Sequence, residues 1–388
     1  MLRKIILSPY YLILKIRHAL YDNGVWKVHS CKIPTICVGN IAAGGTGKTP
    51  HTEMILSTLL KSDEWAYKNI AVLSRGHKRS SRGFQQVTID GSAAFYGDEP
   101  LQIKKKFPSI TVAVDRPRLE GCDFLCQPEK LKTTKRGRKC KEKDLPSSDI
   151  IVLDDAFQYR DLKAHVNIIL VDYNRPVNKD HLLPFGRLRD LPERLHYADI
   201  IIVTKCPAYL ENWEKVRWIK SLGIYDYNPD TCAGTDRKGK TITILFTAIT
   251  YCPIEPVYPE GDIRYTYSKK LILFSGIAKD TPLRRYLSDR YQIVKRFNFA
   301  DHHKYSGIDI RRIMLAAKNF PTAVVTTTEK DSQRVVDYKK VPEALKERLF
   351  QIPIKVDFLS EHEKNVFETT LMSRLIEFHS EPAQTLHE

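Results

Sequence analysis

Short runs of aliphatic and β-branched residues recur along the first two-thirds of the chain, at 35–39, 70–74, 110–113, 150–153, 168–171 and 200–203, with longer polar stretches of helical character between them. Runs that are apolar at successive positions predict strands covered on both faces, and the intervening helices make them βαβ units of a parallel sheet. Runs at 242–246 and 254–258 predict the strands of a connector. Those at 271–275, 293–297, 323–326 and 354–358 predict a second αβα sheet, closed by a helix over 361–378. The expectation is an α/β protein with an N-terminal helical segment over 1–30, a first αβα lobe over 31–240 and a C-terminal αβα lobe over 241–388. With 388 residues in the chain, two domains with separate cores are the ordinary outcome.

Within residues 2–21, Leu12, Ile16 and Leu20 recur every fourth position and share one face of a helix, with Lys15, Arg17 and His18 interleaved and Asn23-Gly24 as a stop. Positive charges inside the apolar part, and the lack of a small-residue cleavage site after it, argue against a secretory signal. The pattern suits a helix lying in a membrane interface, and equally a helix packed on the body of the protein.

The run 35–39 leads into Asn40-Ile41-Ala42-Ala43-Gly44-Gly45-Thr46-Gly47-Lys48-Thr49-Pro50. Strand, glycine-rich turn and helix in this order make a phosphate cradle. Gly44, Gly45, Thr46 and Gly47 let backbone N–H groups face a phosphate, Lys48 reaches the β- and γ-phosphates, and the Thr49 hydroxyl ligates Mg²⁺. A nucleoside triphosphate with Mg²⁺ is therefore the predicted ligand. Ala42 replaces the first glycine of the usual pattern, and Pro50 follows the threonine. The run 150–153 ends in Asp154-Asp155, the arrangement that sets a carboxylate beside such a Mg²⁺; an aspartate capping the next helix is the structural alternative. Two further places combine acids and bases in turns: Gly97-Asp98-Glu99-Pro100 and Asp301-His302-His303. A carboxylate or a histidine so placed suits proton transfer.

Charge adds one constraint. The chain carries 62 Lys and Arg against 46 Asp and Glu, a formal net charge of +16, which calls for an anionic partner. Residues 129–144 hold much of the excess, and such a run reads first as a solvated, poorly ordered loop. No RNA-stacking motif accompanies the charge, so no nucleic-acid partner is expected. Eight scattered cysteines frame neither a disulfide scaffold nor a zinc site. No run of 18 apolar residues is present, and a membrane-spanning helix is not expected.

The order of motifs resembles the tetraacyldisaccharide 4'-kinases (LpxK, the lipid A 4'-kinases). The resemblance rests on Val38-Gly39-Asn40 with 44–50, Ser74-Arg75-Gly76, Gly97-Asp98-Glu99-Pro100-Leu101, Asp115-Arg116 and Asp154-Asp155-Ala156-Phe157-Gln158. It continues through Leu183-Pro184-Phe185-Gly186, Leu188-Arg189, Gly276-Ile277-Ala278, Asp301-His302-His303 and Thr327-Thr328-Glu329-Lys330-Asp331. It implies two Rossmann-like lobes, the first with a P-loop NTPase-type parallel sheet. It further implies ATP-dependent, Mg²⁺-assisted phosphorylation of the 4'-hydroxyl of an acylated glucosamine disaccharide 1-phosphate, at the cytoplasmic face of the bacterial inner membrane, by a peripheral enzyme expected to be a monomer. By the same resemblance Lys48 holds the phosphates and Asp98 is the base, with His302 as its dyad partner. Arg189 steadies the transferring group, and Thr49, Glu99, Asp154 and Asp155 arrange the metal and its waters. Two positions depart from the family pattern: Ala156 where glycine is common and Asp190 where glutamate is common. The stretch 129–144 reads as an insertion. A P-loop GTPase is the enzyme alternative, although Thr204-Lys205-Cys206-Pro207 lacks the aspartate that guanine recognition uses; another P-loop phosphotransferase also stays open.

Overall fold

The computed structural model describes residues 2–277, 279–301 and 303–380, with side chains from Pro9 to Phe378; Ala278 and His302 lie outside the described residues. The expected parallel strands form the centre of an 11-stranded sheet. Its order is Ile224–Asn228, Ala233–Asp236, Thr241–Tyr251, Ile200–Thr204, Val166–Asp172, Thr35–Gly39, Ile150–Asp154, Ile70–Ser74, Thr111–Val114 and Gln85–Gln86, and Ile354–Phe358 also pairs with Thr241–Tyr251. The strands from Thr241–Tyr251 to Thr111–Val114 run parallel. Alternation within each run feeds two cores. Ile36 and Val38 enter the core beneath the helix Lys48–Lys61, and Cys37 enters the core on the opposite face. Parallel strands covered on both faces leave one outlet for chemistry, the loops at their carboxyl ends.

A second, five-stranded sheet has the order Glu255–Pro256, Leu349–Ile352, Val324–Thr328, Lys270–Ser275 and Gln292–Asn298. All its pairings are parallel except that of Glu255–Pro256. Three strand expectations change here. The run 242–246 is part of the 11-residue strand Thr241–Tyr251, which pairs with Ile200–Thr204 of the first sheet. The run 254–258 contributes only Glu255–Pro256. Ile354–Phe358 does not join the second sheet; it pairs antiparallel with the distal half of Thr241–Tyr251. Pro353 separates it from a strand not expected from the sequence, Leu349–Ile352, and that strand enters the second sheet. The helix Glu361–Ser380 follows the returning strand and packs Phe367, Leu371 and Leu375 into the first sheet's core.

The N-terminal helix Leu2–Asp22 lies against the first sheet's periphery by one face. Leu14 is buried, the His18 ring meets the Asp190 carboxylate at 2.6 Å, Tyr10 donates to the Arg189 carbonyl at 3.1 Å, and Arg17 donates to the Gln158 carbonyl at 2.9 Å. Its other face leaves Leu12, Ile13 and Ile16 at least half exposed, near the exposed Val25 and Trp26 that follow it. Among the described residues no helix is long and apolar enough to cross a membrane. The basic stretch is folded where a loose loop was expected. It forms the helix Lys130–Thr133 and a turn at Gly137–Lys139, buries Leu131 and Cys140, and pairs Lys130, Lys132 and Arg136 with Asp123, Asp144 and Glu120. Two apolar anchors and local acids offset the repulsion that composition alone suggests.

His51, fully buried in the helix Lys48–Lys61, joins the glycine turn to the sheet: its ring contacts the Gly47 carbonyl at 2.7 Å and the Thr247 hydroxyl at 3.0 Å. Burial depresses its pKa from 6.5 to about 4. The unfolded chain therefore takes up a proton that the folded chain refuses, so stability falls as pH drops from about 6.5 toward 4, by roughly 3 kcal/mol at the low end. Urea midpoints measured between pH 7 and 4 should show this slope in the wild type and a shallower one in His51→Gln. Phe367→Ala should cost about 3–5 kcal/mol by the same measurement, because the C-terminal helix completes the first core.

Candidate active site

The glycine turn is shaped by its backbone and braced from three sides. Gly44 and Gly47 have φ of 110° and 88°, values that side-chain-bearing residues rarely adopt, and Gly47 caps the helix Lys48–Lys61. The Asn40 amide donates to the Thr46 hydroxyl at 2.7 Å, and the Thr204 hydroxyl donates to the Thr46 carbonyl at 3.0 Å. Lys205 donates to the Gly45 carbonyl while paired with Asp172 at 2.7 Å. From the far side, the Ala43 N–H donates to the Arg187 carbonyl at 2.6 Å. The turn is thus held open at the helix N-terminus, where the helix dipole and backbone N–H groups favour an anion.

Two aspartates at the end of Ile150–Asp154 have opposite electrostatics. Asp155 sits at φ 52° directly after the strand. Burial works against its charge, but Lys48 at 3.7 Å and the Arg189 guanidinium, with one contact at 3.3 Å, keep its pKa below the ordinary value. Arg189 also donates to the Asn40 side-chain oxygen, so Lys48, Arg189, Asp155 and the turn form one connected group. For Asp154, burial and the neighbouring Asp155 raise the pKa to about 6. Its Oδ2 accepts from Ser74 at 3.0 Å, and its Oδ1 is buried with no hydrogen-bond partner. Beneath both, Arg118 donates to the Asp115 carbonyl at 2.6 Å and to the Asp154 carbonyl at 3.3 Å. Burial beside Glu120 pushes the Asp115 carboxyl up to about 7.

The other predicted carboxylates open the helix Asp98–Lys106, whose N-cap Gly97 has φ 102°. Asp98 pairs with Arg334 at 2.6 Å and Glu99 with Lys330 at 2.8 Å, both partners lying on the helix Glu329–Val336 of the second lobe. Glu99 is close enough to Asp154 to raise its pKa. Glu99 and the strand-end aspartates therefore share one electrostatic neighbourhood. Asp190, a departure from the family pattern, is buried and holds His18 of the N-terminal helix, with Arg194 at 3.5 Å.

The donor set fits Mg²⁺. Asp154, Asp155, Glu99 and Thr49 offer the hard oxygens that Mg²⁺ prefers, and Asp154 Oδ1 is buried with no hydrogen-bond partner. Among the described residues no three acidic, histidine or cysteine side chains converge as a metal cage. Asn40 and Ser74 lie within the motifs, and their hydrogen bonds to Thr46 and Asp154 are found only in the fold. Lys205, Arg118 and Arg334 act through contacts 36 to 236 positions apart in sequence, and spacing carries no signal for them.

The chain resembles known proteins over almost its whole length. The family model for tetraacyldisaccharide-1-P 4'-kinase matches residues 4–375. The tetraacyldisaccharide 4'-kinase of Phocaeicola vulgatus is 36% identical over 90% of this chain and 88% of its own. That of Cytophaga hutchinsonii is 33% identical over 96% and 97%. A crystal structure of LpxK from Aquifex aeolicus in complex with ATP superposes with a TM-score of 0.64, covering 97% of this chain and 100% of the other at 23% identity, which supports the same fold. With the family matched from end to end, this chain belongs to the tetraacyldisaccharide 4'-kinases.

Proposed function

We propose that the group formed by Lys48, Arg189 and Asp155 beside the glycine turn holds the triphosphate of ATP, and that Asp98 accepts the proton of the attacking sugar hydroxyl. The reaction is the family's: the γ-phosphoryl of ATP passes to the 4'-hydroxyl of tetraacyldisaccharide 1-phosphate, as in lipid A biosynthesis. The observation that carries the assignment is the convergence of Lys48 and Arg189 on one ionised carboxylate at the P-loop.

In this reading the N–H groups of 44–49 and Lys48 receive the β- and γ-phosphates. Arg189, tethered between Asn40 and Asp155, faces the charge that builds on the transferring group. Thr49, Asp154, Asp155 and Glu99 would hold Mg²⁺ or its waters, and bound Mg²⁺ neutralises phosphate charge. The 4'-oxygen forms its bond to the γ-phosphorus as the bond from that phosphorus to the β,γ-bridging oxygen breaks. ADP leaves with that electron pair, and the hydroxyl proton goes to Asp98 with His302 as its dyad partner. Loose phosphoryl transfer asks mainly for position and charge neutralisation, and an ionised carboxylate suffices for the proton.

The lipid acceptor requires access to a bilayer. We assign this to the N-terminal helix, whose outer face carries Leu12, Ile13 and Ile16 with Lys15 among them, the composition of a helix lying in an anionic membrane interface. Its inner face ties to Asp190, the residue next to Arg189, so membrane contact and phosphate handling adjoin in sequence and space. The reading places the enzyme at the cytoplasmic face of the inner membrane as a peripheral protein.

With detergent-dispersed tetraacyldisaccharide 1-phosphate and ATP, the wild type should form product, while Lys48→Ala and Asp98→Ala should each lose about 10²–10³-fold in kcat. An ATP-binding, folded wild type that forms none would overturn the reading. The double variant Ile13→Glu with Ile16→Glu should bind anionic vesicles at least about a hundredfold more weakly in cosedimentation, yet keep its rate on dispersed substrate.

A further inference from the structure

The junction between the two lobes is dense in charge, and one residue in it differs from its neighbours. Lys330 pairs with Glu99, Lys106 with both Glu53 and Glu329, and the Asp337 carboxylate accepts from the Ala93 and Ala94 N–H groups. In these contacts the cations stay partly exposed, Lys330 and Lys106 keeping roughly a quarter to a third of their side chains open, although Glu53 and Glu329 are buried. Arg334 is buried, and its Nε and Nη2 both end on a single oxygen, Oδ2 of Asp98, at 3.0 and 2.6 Å. Its remaining nitrogen, Nη1, meets Asp331 Oδ1 at 3.0 Å. Asp331 is itself fully buried and fixed from two sides: Oδ2 accepts from the Gly276 N–H at 2.9 Å and from the Thr328 hydroxyl at 2.7 Å. The order of support runs from the second sheet's strand ends, through Asp331, to Arg334 and then to Asp98.

We infer that Arg334 is a positioning residue for phosphoryl transfer, a buried guanidinium from the second lobe that sets the orientation of the Asp98 carboxylate on the first. The inference rests on the reading of Asp98 as the base and deepens it. Asp98 stands at the first turn of its helix, after a glycine of positive φ, where the backbone alone leaves the side chain free to choose among rotamers. A planar fork anchored at its far end removes that choice, and a lysine in its place would supply charge without the fork. Because the fork belongs to the helix Glu329–Val336, a correctly aimed base exists only while that helix is seated against Asp98–Lys106.

The test is a double-mutant cycle in the full-length protein, assayed with ATP and dispersed tetraacyldisaccharide 1-phosphate, after thermal melts and ATP titration confirm each variant folded and nucleotide-competent. Arg334→Met should lower kcat by about 10²-fold, the cost of a misplaced reacting group, with the KM for ATP unchanged. Arg334→Lys should fall between wild type and Arg334→Met, and it serves in the cycle if Arg334→Met does not fold. In the Asp98→Asn background the Arg334 substitution should cost little more, since its effect runs through a carboxylate already lost. Equal losses in both backgrounds would overturn the inference while leaving Asp98 as the base, and so would an unchanged or raised kcat in Arg334→Met. Wild-type kcat in Asp98→Asn alone would instead remove the base reading and the inference together.

Discussion

One carboxylate, Asp155, has two cations on it, and the arrangement around it explains why the neighbouring loops lie where they do. Lys48 comes from the helix after the glycine turn, and Arg189 from a segment that crosses the turn and bridges Ala42 to Leu188. Burial of the aspartate would otherwise favour its protonated form, so each cation is as necessary to its charge as the charge is to holding both cations. Such a network is stable only when all its members are in place. The left-handed backbone of Asp155 and the glycines of the turn are the local conformations that permit it.

The partition of charge between Asp154 and Asp155 follows from the same point. At the strand end Asp155 meets two cations, while Asp154 accepts from a serine hydroxyl and keeps an unpartnered oxygen. Two neighbouring acids with pKa values driven apart can serve separate roles without a change of residue type. Asp115 and Arg118 form a further layer below, in which the Arg118 guanidinium holds the Asp115 and Asp154 carbonyls.

Much of this was legible from residue order. Continuous apolar runs marked the parallel strands, and the glycine turn and the Asp154-Asp155 pair sat at strand ends because parallel sheets place loops there. Local signals failed where the answer was held in tertiary contacts. Two strands bound for different sheets flank Pro353; only the second, 354–358, stood out as a run, and nothing local says that it returns to the first sheet. The basic stretch read as loose because its anchors, Leu131 and Cys140, are single apolar residues among lysines. Asp190 illustrates the reverse case: read only as a departure from the family pattern, it has a definite place in the fold, the mooring of His18. Arg334 was silent in sequence since its partner lies 236 positions away.

The return of Ile354–Phe358 to the first sheet has a mechanical consequence. The second lobe is not a bead on a string but a loop of fold whose entrance and exit are the two strands of one antiparallel ribbon, with five paired positions from Thr247–Phe358 to Tyr251–Ile354. A body held by a single strand can swivel about any direction, whereas one held by two hydrogen-bonded strands bends across the ribbon far more easily than it twists or slides. The ribbon therefore has the mechanics of a leaf hinge. It fixes the side from which the helix Glu329–Val336 meets Asp98–Lys106, where Arg334 and Lys330 pair with Asp98 and Glu99.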